Sequence, residues 1–142
     1  ERMRFEERLW SDKVNALWDR GTREMHALFR DRLERQLRAA AGRGAARRTI
    51  LVTHAVSHRA FTVQRPSPMW EYLNAFLGSP EYGELAVRHG AALAVCGHVH
   101  HREETREGGT RFVCSCLGYS SEWGDPQDLE GEIERSLTVL EI

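Results

Sequence analysis

Three histidines lie within four residues directly after an apolar run, in the stretch LAVCGHVHHR that spans Leu93–Arg102. They are His98, His100 and His101. An earlier apolar run, ILVTH, also ends in a histidine, at His54. Neutral imidazoles are good ligands for zinc, manganese and iron. Two histidines at strand ends, one of them in a His-x-His pair, therefore predict a metal site.

The carboxyl ends of neighbouring parallel strands meet at one edge of a sheet, where open α/β proteins bind their ligands. We therefore predict that His54 and His98 share one crevice, and that Gly97 allows a sharp backbone turn without a Cβ clash. Residues two apart point the same way in an extended chain, so His100 should join them as a third ligand. His101 should face solvent.

The other histidines have less specific interpretations. His58 follows His54 by four residues, and it is a candidate for supporting the metal ligands or contacting substrate, with a plain polar loop residue as the alternative. His89 lies near a helix C-terminus, where a positive charge is favourable. His26 is interpreted as a half-exposed residue on a helix.

Residues 1–48 are predicted to be a helical segment. Apolar residues recur at helical spacing over 5–18 and again over 25–37, with a break at Gly21-Thr22. Basic residues outnumber acidic ones here, but the two signs alternate along the helix faces. This alternation favours a solvated, ion-paired surface over a nucleic-acid site.

Residues 49–142 have an α/β pattern. Short apolar runs at 49–53 and 91–96 are typical of buried parallel strands, and two helix-like stretches at 69–78 and 80–89 separate them. The order predicts a parallel βαβ unit.

The remainder of the chain is predicted to be an antiparallel tail. Two strand-like runs flank Gly108-Gly109, which is a hairpin signal. An acidic loop at 125–132 and a final alternating strand at 135–142 should follow.

The 142 residues are 41% hydrophobic and 29% charged, as in ordinary globular domains. No apolar stretch approaches the roughly 20 residues of a membrane helix. The three cysteines are an odd number, which argues against a disulfide framework and favours a reducing, cytoplasmic location. Cys96, Cys114 and Cys116 are interpreted as small buried residues, with the last two on one face of a strand.

The pair of motifs ILVTH and AVCGHVHHR resembles the last two motifs of the calcineurin-like metallophosphoesterases, a strand-terminal histidine followed by Gly-His-x-His. The resemblance extends over residues 49–120, and YLNAFLGSPEYGELAVRHG is similar to the intervening segment of a bacterial subgroup of phosphoesterases. It implies a two-layer β-sandwich flanked by helices, and a hydrolase acting on a phosphate mono- or diester as a phosphatase or phosphodiesterase.

The same resemblance implies a centre of two divalent transition metals, drawn from Mn, Fe, Zn and Ni. His54 and His98 would bind one metal and His100 the other. The hydroxide bridging the metals would attack phosphorus in line.

The family's earlier motifs are Asp-x-His, Gly-Asp-x-x-Asp and Gly-Asn-His-Asp/Glu, and we expect none of them in this chain. They would supply the bridging carboxylate and the histidine that assists the leaving group, so the catalytic residue of this chain stays unknown. We therefore expect residues 49–142 to be the C-terminal half of a domain. The N-terminal half would come from a separate chain, from residues upstream of Glu1, or from a second copy of this chain.

Two alternatives remain open. The chain is either half of an enzyme acting on a phosphate ester, with nucleic acid only as a substrate and no membrane partner, or a non-catalytic binding or structural module with at most one weakly held metal. The segment Trp70–Phe76 either caps the site or packs as an ordinary amphipathic helix.

Overall fold

The structure is a computed structural model that describes residues 3–141. Its strands are β1 (Arg4–Phe5), β2 (Arg8–Leu9), β3 (Ile50–Val52), β4 (Leu93–Cys96), β5 (Arg102–Glu107) and β6 (Thr110–Ser115). Its helices are α1 (Asp12–Asn15), α2 (Thr22–Gly42), α3 (Pro68–Asn74), α4 (Glu81–Arg88) and α5 (Leu129–Ser136). No helix within residues 3–141 has the length and apolar content to cross a membrane.

The fold is mixed α/β, built around a four-stranded sheet with the order β3-β4-β6-β5. Strands β3, β4 and β6 run parallel, and β5 pairs antiparallel with β6 at one edge. The predicted parallel pairing of the two apolar runs is confirmed, with Leu51 opposite Ala94. The predicted hairpin is also confirmed, because Gly108 and Gly109 both have the positive φ that a tight two-residue turn requires.

The hydrophobic core lies on one face of this sheet. Alternate residues of the three parallel strands are buried there, and α4 and the loop after β3 cover them. The fully or nearly fully buried members are Leu51, Val56, Phe61, Ala86, Ala94, Cys96, Phe112 and Cys114.

The helices between β3 and β4 begin and end close to the predicted positions. The Ser67 hydroxyl caps α3 by accepting the Trp70 N–H at 3.2 Å. Helix α4 ends before Gly90, whose φ of 71° is the left-handed conformation usual for a residue that stops a helix.

The helix predicted over residues 5–18 is wrong. This stretch forms the short β1–β2 hairpin and the four-residue helix α1. Its aromatic residues pack on α3 and the residues just after it, since Phe5 lies 5.5 Å from Tyr72 and Trp10 stacks 4.8 Å from Phe76. The apolar spacing does not mark a buried helix face, because Leu9, Val14 and Leu17 are exposed in this segment. The second predicted helix is confirmed as α2; residues 1 and 2 of the predicted segment lie outside the described residues.

The strand predicted over 135–142 is also wrong, and the acidic loop before it is partly helical. Asp128 caps α5 by accepting the Gly131 N–H at 3.0 Å, so the helix begins inside the predicted loop. After α5 the chain from Leu137 to residue 141 has no regular structure, and Ile142 lies outside the described residues. The Ser115 hydroxyl at the end of β6 bonds to Ser136 O and Thr138 Oγ1, which fastens this segment by side-chain contacts.

Gly83 sets how closely α4 approaches the loop that follows β3. A Cβ at this position would lie 2.1 Å from the Ser57 carbonyl oxygen and 2.9 Å from the Phe112 ring. Backbone cannot give way as a flexible side chain does, so any larger residue must push α4 off the sheet.

We predict that Gly83→Ala destabilises the fold by about 1–3 kcal/mol, although alanine is the better helix former. The matched control is Gly42→Ala at the end of α2, where a Cβ would meet nothing within 4 Å. Chemical unfolding of both variants tests this, and equal or greater stability of Gly83→Ala would contradict the proposed close contact.

Candidate metal centre

The ends of β3 and β4 are aligned by backbone hydrogen bonds that continue past both strands. The Thr53 N–H donates to the Val95 carbonyl, and the Gly97 N–H donates to the His54 carbonyl, each at 3.0 Å. The two strand-terminal histidines are therefore delivered to the same edge of the sheet, as predicted.

His54 and His98 are in direct side-chain contact. His54 Nε2 and His98 Nδ1 lie 3.1 Å apart. The ring centroids are separated by 4.9 Å, and the planes of the two rings are inclined at 69° to each other. Two nitrogens bound to one metal at about 2.0–2.1 Å would be separated by roughly 2.9–3.4 Å for octahedral to tetrahedral angles. The pair therefore has the nitrogen spacing of two ligands on one metal, and the same spacing also suits a hydrogen bond.

The sharp turn at the end of β4 is made by His98 and not, as predicted, by Gly97. His98 has a φ of 72°, and the Val99 N–H bonds to the Gly97 carbonyl at 2.9 Å across it. This is the strained form of the three-residue turn. Left-handed backbone costs a residue with a Cβ about 1–2 kcal/mol, and such strain concentrates at functional sites.

The half-buried ring of His98 is held neutral by its surroundings. Burial lowers the pKa of His98 below its usual range, and the imidazoles of His54 and His100 lower it further. The carboxylate of Asp12 acts in the opposite direction on the same pKa. Neutral imidazole is the form that binds metals.

His100 is oriented by the carboxylate of Glu122, a residue that belongs to no motif recognised in the sequence. Its Nδ1 lies 2.9 Å from Glu122 Oε2. A carboxylate only accepts hydrogen bonds, so this nitrogen carries the proton and Nε2 keeps its lone pair. The Tyr119 N–H also donates to Glu122 at 2.7 Å, and these two bonds lower the pKa of Glu122. A carboxylate behind the distal nitrogen is the usual support of a metal-binding histidine.

His58 is placed away from this pair. Its Nδ1 accepts the Ala60 N–H at 3.1 Å, and its Nε2 donates to Glu107 at 2.9 Å. Glu107 pairs with Thr110, the first residue of β6, and therefore lies at the opposite end of the strands from the histidine pair. Both nitrogens of His58 are used there, so the structure does not bring it to the site.

The remaining histidines also have local partners. His101 is exposed, as predicted, and its Nε2 lies 3.8 Å from Glu103. Nε2 of His26 lies 3.5 Å from Glu81, and Nε2 of His89 lies 3.9 Å from Glu34 but is buried without a hydrogen-bond partner among the described residues.

The expectation that none of the family's earlier motifs occurs in the chain is wrong for one of them, because a Gly-Asp-x-x-Asp sequence lies at 124–128, downstream of the histidines. Its carboxylates serve local turns, because Asp125 accepts the Gln127 N–H while Asp128 caps α5 and contacts Arg135.

The predicted three-histidine cluster is only partly assembled. Within residues 3–141, no group of three or more His, Cys, Asp or Glu side chains is arranged to hold a metal ion. His54 and His98 form a two-nitrogen site, and His100 stands beside it on its own carboxylate.

A cleft of about 600 Å³ adjoins the pair through Ala55, the residue after His54. Asp12, Phe76 and Tyr82 are among its other lining residues, and neither ring of the pair lines it.

No family model matches the chain, and comparisons with curated proteins and with solved structures found no match.

The left-handed turn predicts an unusual order of stability among variants at His98. His98→Gly should be more stable than His98→Ala by about 1 kcal/mol, because only glycine adopts this φ without strain. At His101, which has no positive φ, the order should reverse or vanish. Chemical unfolding of the four variants measures this, and the same order at both positions would contradict strain at His98.

The lowered pKa of His98 predicts a loss of stability in acid. The unfolded chain takes up this proton near pH 6.5, whereas the folded chain resists it. The stabilisation is therefore present above about pH 6.5 and is lost as the pH falls through the folded pKa. Urea unfolding between about pH 5 and pH 8 should show a shallower pH slope for His98→Asn than for the wild-type chain. Identical slopes would contradict the assignment.

Proposed function

We propose that this chain supplies the histidine half of a metal-dependent phosphoesterase site. The observation that carries the proposal is the 3.1 Å separation of His54 Nε2 and His98 Nδ1 at the ends of two parallel strands. The Gly-His-x-His motif and its upstream histidine support the same assignment through their resemblance to calcineurin-like metallophosphoesterases.

In this proposal His54 and His98 hold one divalent transition metal, and His100 binds a second through Nε2. Imidazoles suit ions such as Zn, Fe and Ni, and the further ligands that two metals need would come from outside residues 3–141, within which no group of three or more ligand side chains is assembled. Glu122 fixes the orientation of His100 at 2.9 Å. Bound divalent ions would supply the Lewis acidity that activates water and offsets the charge on phosphate oxygens.

The chain's own residues would hold and orient the substrate. The cleft beside Ala55 is large enough for a small organic phosphate and adjoins the His54–His98 pair. Phe76 gives it an apolar wall, and Tyr82 and Asp12 give it polar ones. The ester's organic group would occupy this cleft with its phosphate at the histidine pair.

The bridging carboxylate and the leaving-group histidine must then come from a partner, which we propose to be the N-terminal half of the same fold. The edge position of β3 supports this. Its outer side chains Ile50 and Val52 are 39% and 73% exposed, on a strand with unpaired backbone groups along one side. Ile50 and Val52 alternate with the buried Leu51 and therefore point to the opposite face of the sheet, where the second layer of a β-sandwich would cover them. Strands added at the free edge of β3 would continue the sheet towards that layer.

A non-catalytic role is the second candidate. The direct hydrogen bond between His54 and His98 satisfies one nitrogen of each ring without a metal. In that case the pair is a structural clamp between two strand ends, and the chain is a binding or structural module.

Metal binding separates these two candidates. Titration with Co²⁺, followed by its visible absorption, should show binding that is lost in His54→Ala and in His98→Asn. The matched control is His101→Ala, which removes a neighbouring exposed histidine and should bind as the wild-type chain does. Glu122→Gln should weaken binding by about 10–100-fold, because it removes the support of His100.

Equal Co²⁺ binding by all these variants would refute the site. The native mass and metal content of the purified material should be measured alongside. A mass above 16.3 kDa with bound transition metal, and hydrolysis of bis(p-nitrophenyl) phosphate that the His54 and His98 substitutions abolish, would support the enzyme. A metal-free chain of 16.3 kDa would favour the structural module.

A further inference from the structure

Three thiols lie together behind the histidine turn. Cys96 ends β4 and pairs in register with Cys114 of β6, and Cys116 follows just after β6. The Sγ atoms of Cys114 and Cys116 are 3.9 Å apart, which confirms that the two side chains share one face. All three cysteines are free thiols.

The three thiols differ in their access to solvent. Cys96 and Cys114 are buried, whereas Cys116 is only partly covered. Cys116 also lies beyond the last residue of β6, so the strand ladder does not hold its backbone. A disulfide needs its sulfurs at about 2.0 Å, so the two sulfurs must approach each other from their present 3.9 Å.

We propose that Cys116 and Cys114 form an oxidant-sensitive pair, in which a peroxide converts the two thiols to a disulfide. Burial raises the pKa of the Cys116 thiol, so the attacking species is its minor thiolate form; that sulfur attacks one oxygen of hydrogen peroxide, and the O–O bond breaks. Cys116 becomes a sulfenic acid, and the displaced hydroxide leaves as water with the thiol proton. Cys114 then attacks the Cys116 sulfur, the S–O bond breaks, and a second water carries away the Cys114 proton. Two thiols lose two electrons in total, and one peroxide is reduced to two waters.

A disulfide between Cys114 and Cys116 would loosen the turn that carries His98 and His100. The Cys114 thiol donates to the His101 carbonyl at 3.5 Å and lies 3.9 Å from the Val99 carbonyl. Both carbonyls belong to the stretch that carries His98 and His100. A disulfide has no S–H to donate, so oxidation releases this anchor and is expected to loosen the two histidines. This consequence rests on the proposed function, whereas formation of the bond does not.

Peptide mapping after peroxide treatment identifies the bond. The reduced chain is treated with hydrogen peroxide, unfolded, alkylated and cleaved with trypsin. Cys96 then lies in the peptide 89–102, while Cys114 and Cys116 lie together in 112–135. We expect the peptide 112–135 to be lighter by two hydrogens and unalkylated, and Cys96 to be alkylated. Cys96→Ser is the matched control and should give the same product, whereas Cys116→Ser should leave Cys114 alkylated.

A cross-link between the two peptides would overturn the pairing, since it would place the bond at Cys96. Sulfinic acid at Cys116, or thiols that all stay alkylatable, would overturn the proposal as well. Co²⁺ affinity of the oxidised chain should fall about tenfold or more if the turn is released. Unchanged affinity would overturn the coupling alone, and a wild-type chain that never binds Co²⁺ would refute the proposed function while leaving the disulfide result intact.

Discussion

The hydrogen bond from the Gly97 N–H to the His54 carbonyl holds the two strand ends in register just where the ladder of β3 and β4 stops. Side chains alternate along a strand, so a slip of one residue would turn one histidine to the opposite face of the sheet. The register of β3 and β4 is stabilised by core packing, because Leu51 and Ala94 lie directly opposite each other and both are buried. The position of the imidazoles therefore follows from the packing of aliphatic side chains on the covered face.

The turn at His98 lowers the stability of the folded chain, whereas the strand register raises it. A left-handed histidine is costly, and something else must hold the backbone in that conformation. The next residue, Val99, is buried, and its carbonyl and that of His101 face the Cys114 thiol. The strained turn thus lies between the core and a thiol, and in our proposal oxidation of the cysteine cluster would alter the geometry of the histidine pair.

The charges around the pair come from distant parts of the chain. Asp12 belongs to α1, near the first described residue, and Glu122 follows β6 by seven residues. Asp12 acts on the pKa of His98, and Glu122 fixes the proton of His100 on Nδ1. The irregular N-terminal segment reaches this position because its aromatic residues pack on Tyr72 and Phe76. An independent amphipathic helix, as its spacing suggested, would have had no such anchor.

Four features could be predicted from the sequence. They are the parallel pairing of β3 with β4, the helices between these strands, the hairpin at Gly108-Gly109, and the position of His54 and His98 at the same end of the sheet. These features depend on local signals: β-branched runs, a Ser67 cap, Gly-Gly, and the rule that parallel strands end at one edge. Other features of the site depend on tertiary contacts and could not be predicted from the sequence. These features are the left-handed backbone of His98 and the hydrogen bond of His58 to Glu107. They also include the hydrogen bond of His100 to Glu122 and the absence of a strand over residues 137–141. Each of these depends on a contact between residues that are not neighbours in the same element, and hydrophobic spacing carries no information about which distant polar group a side chain will meet.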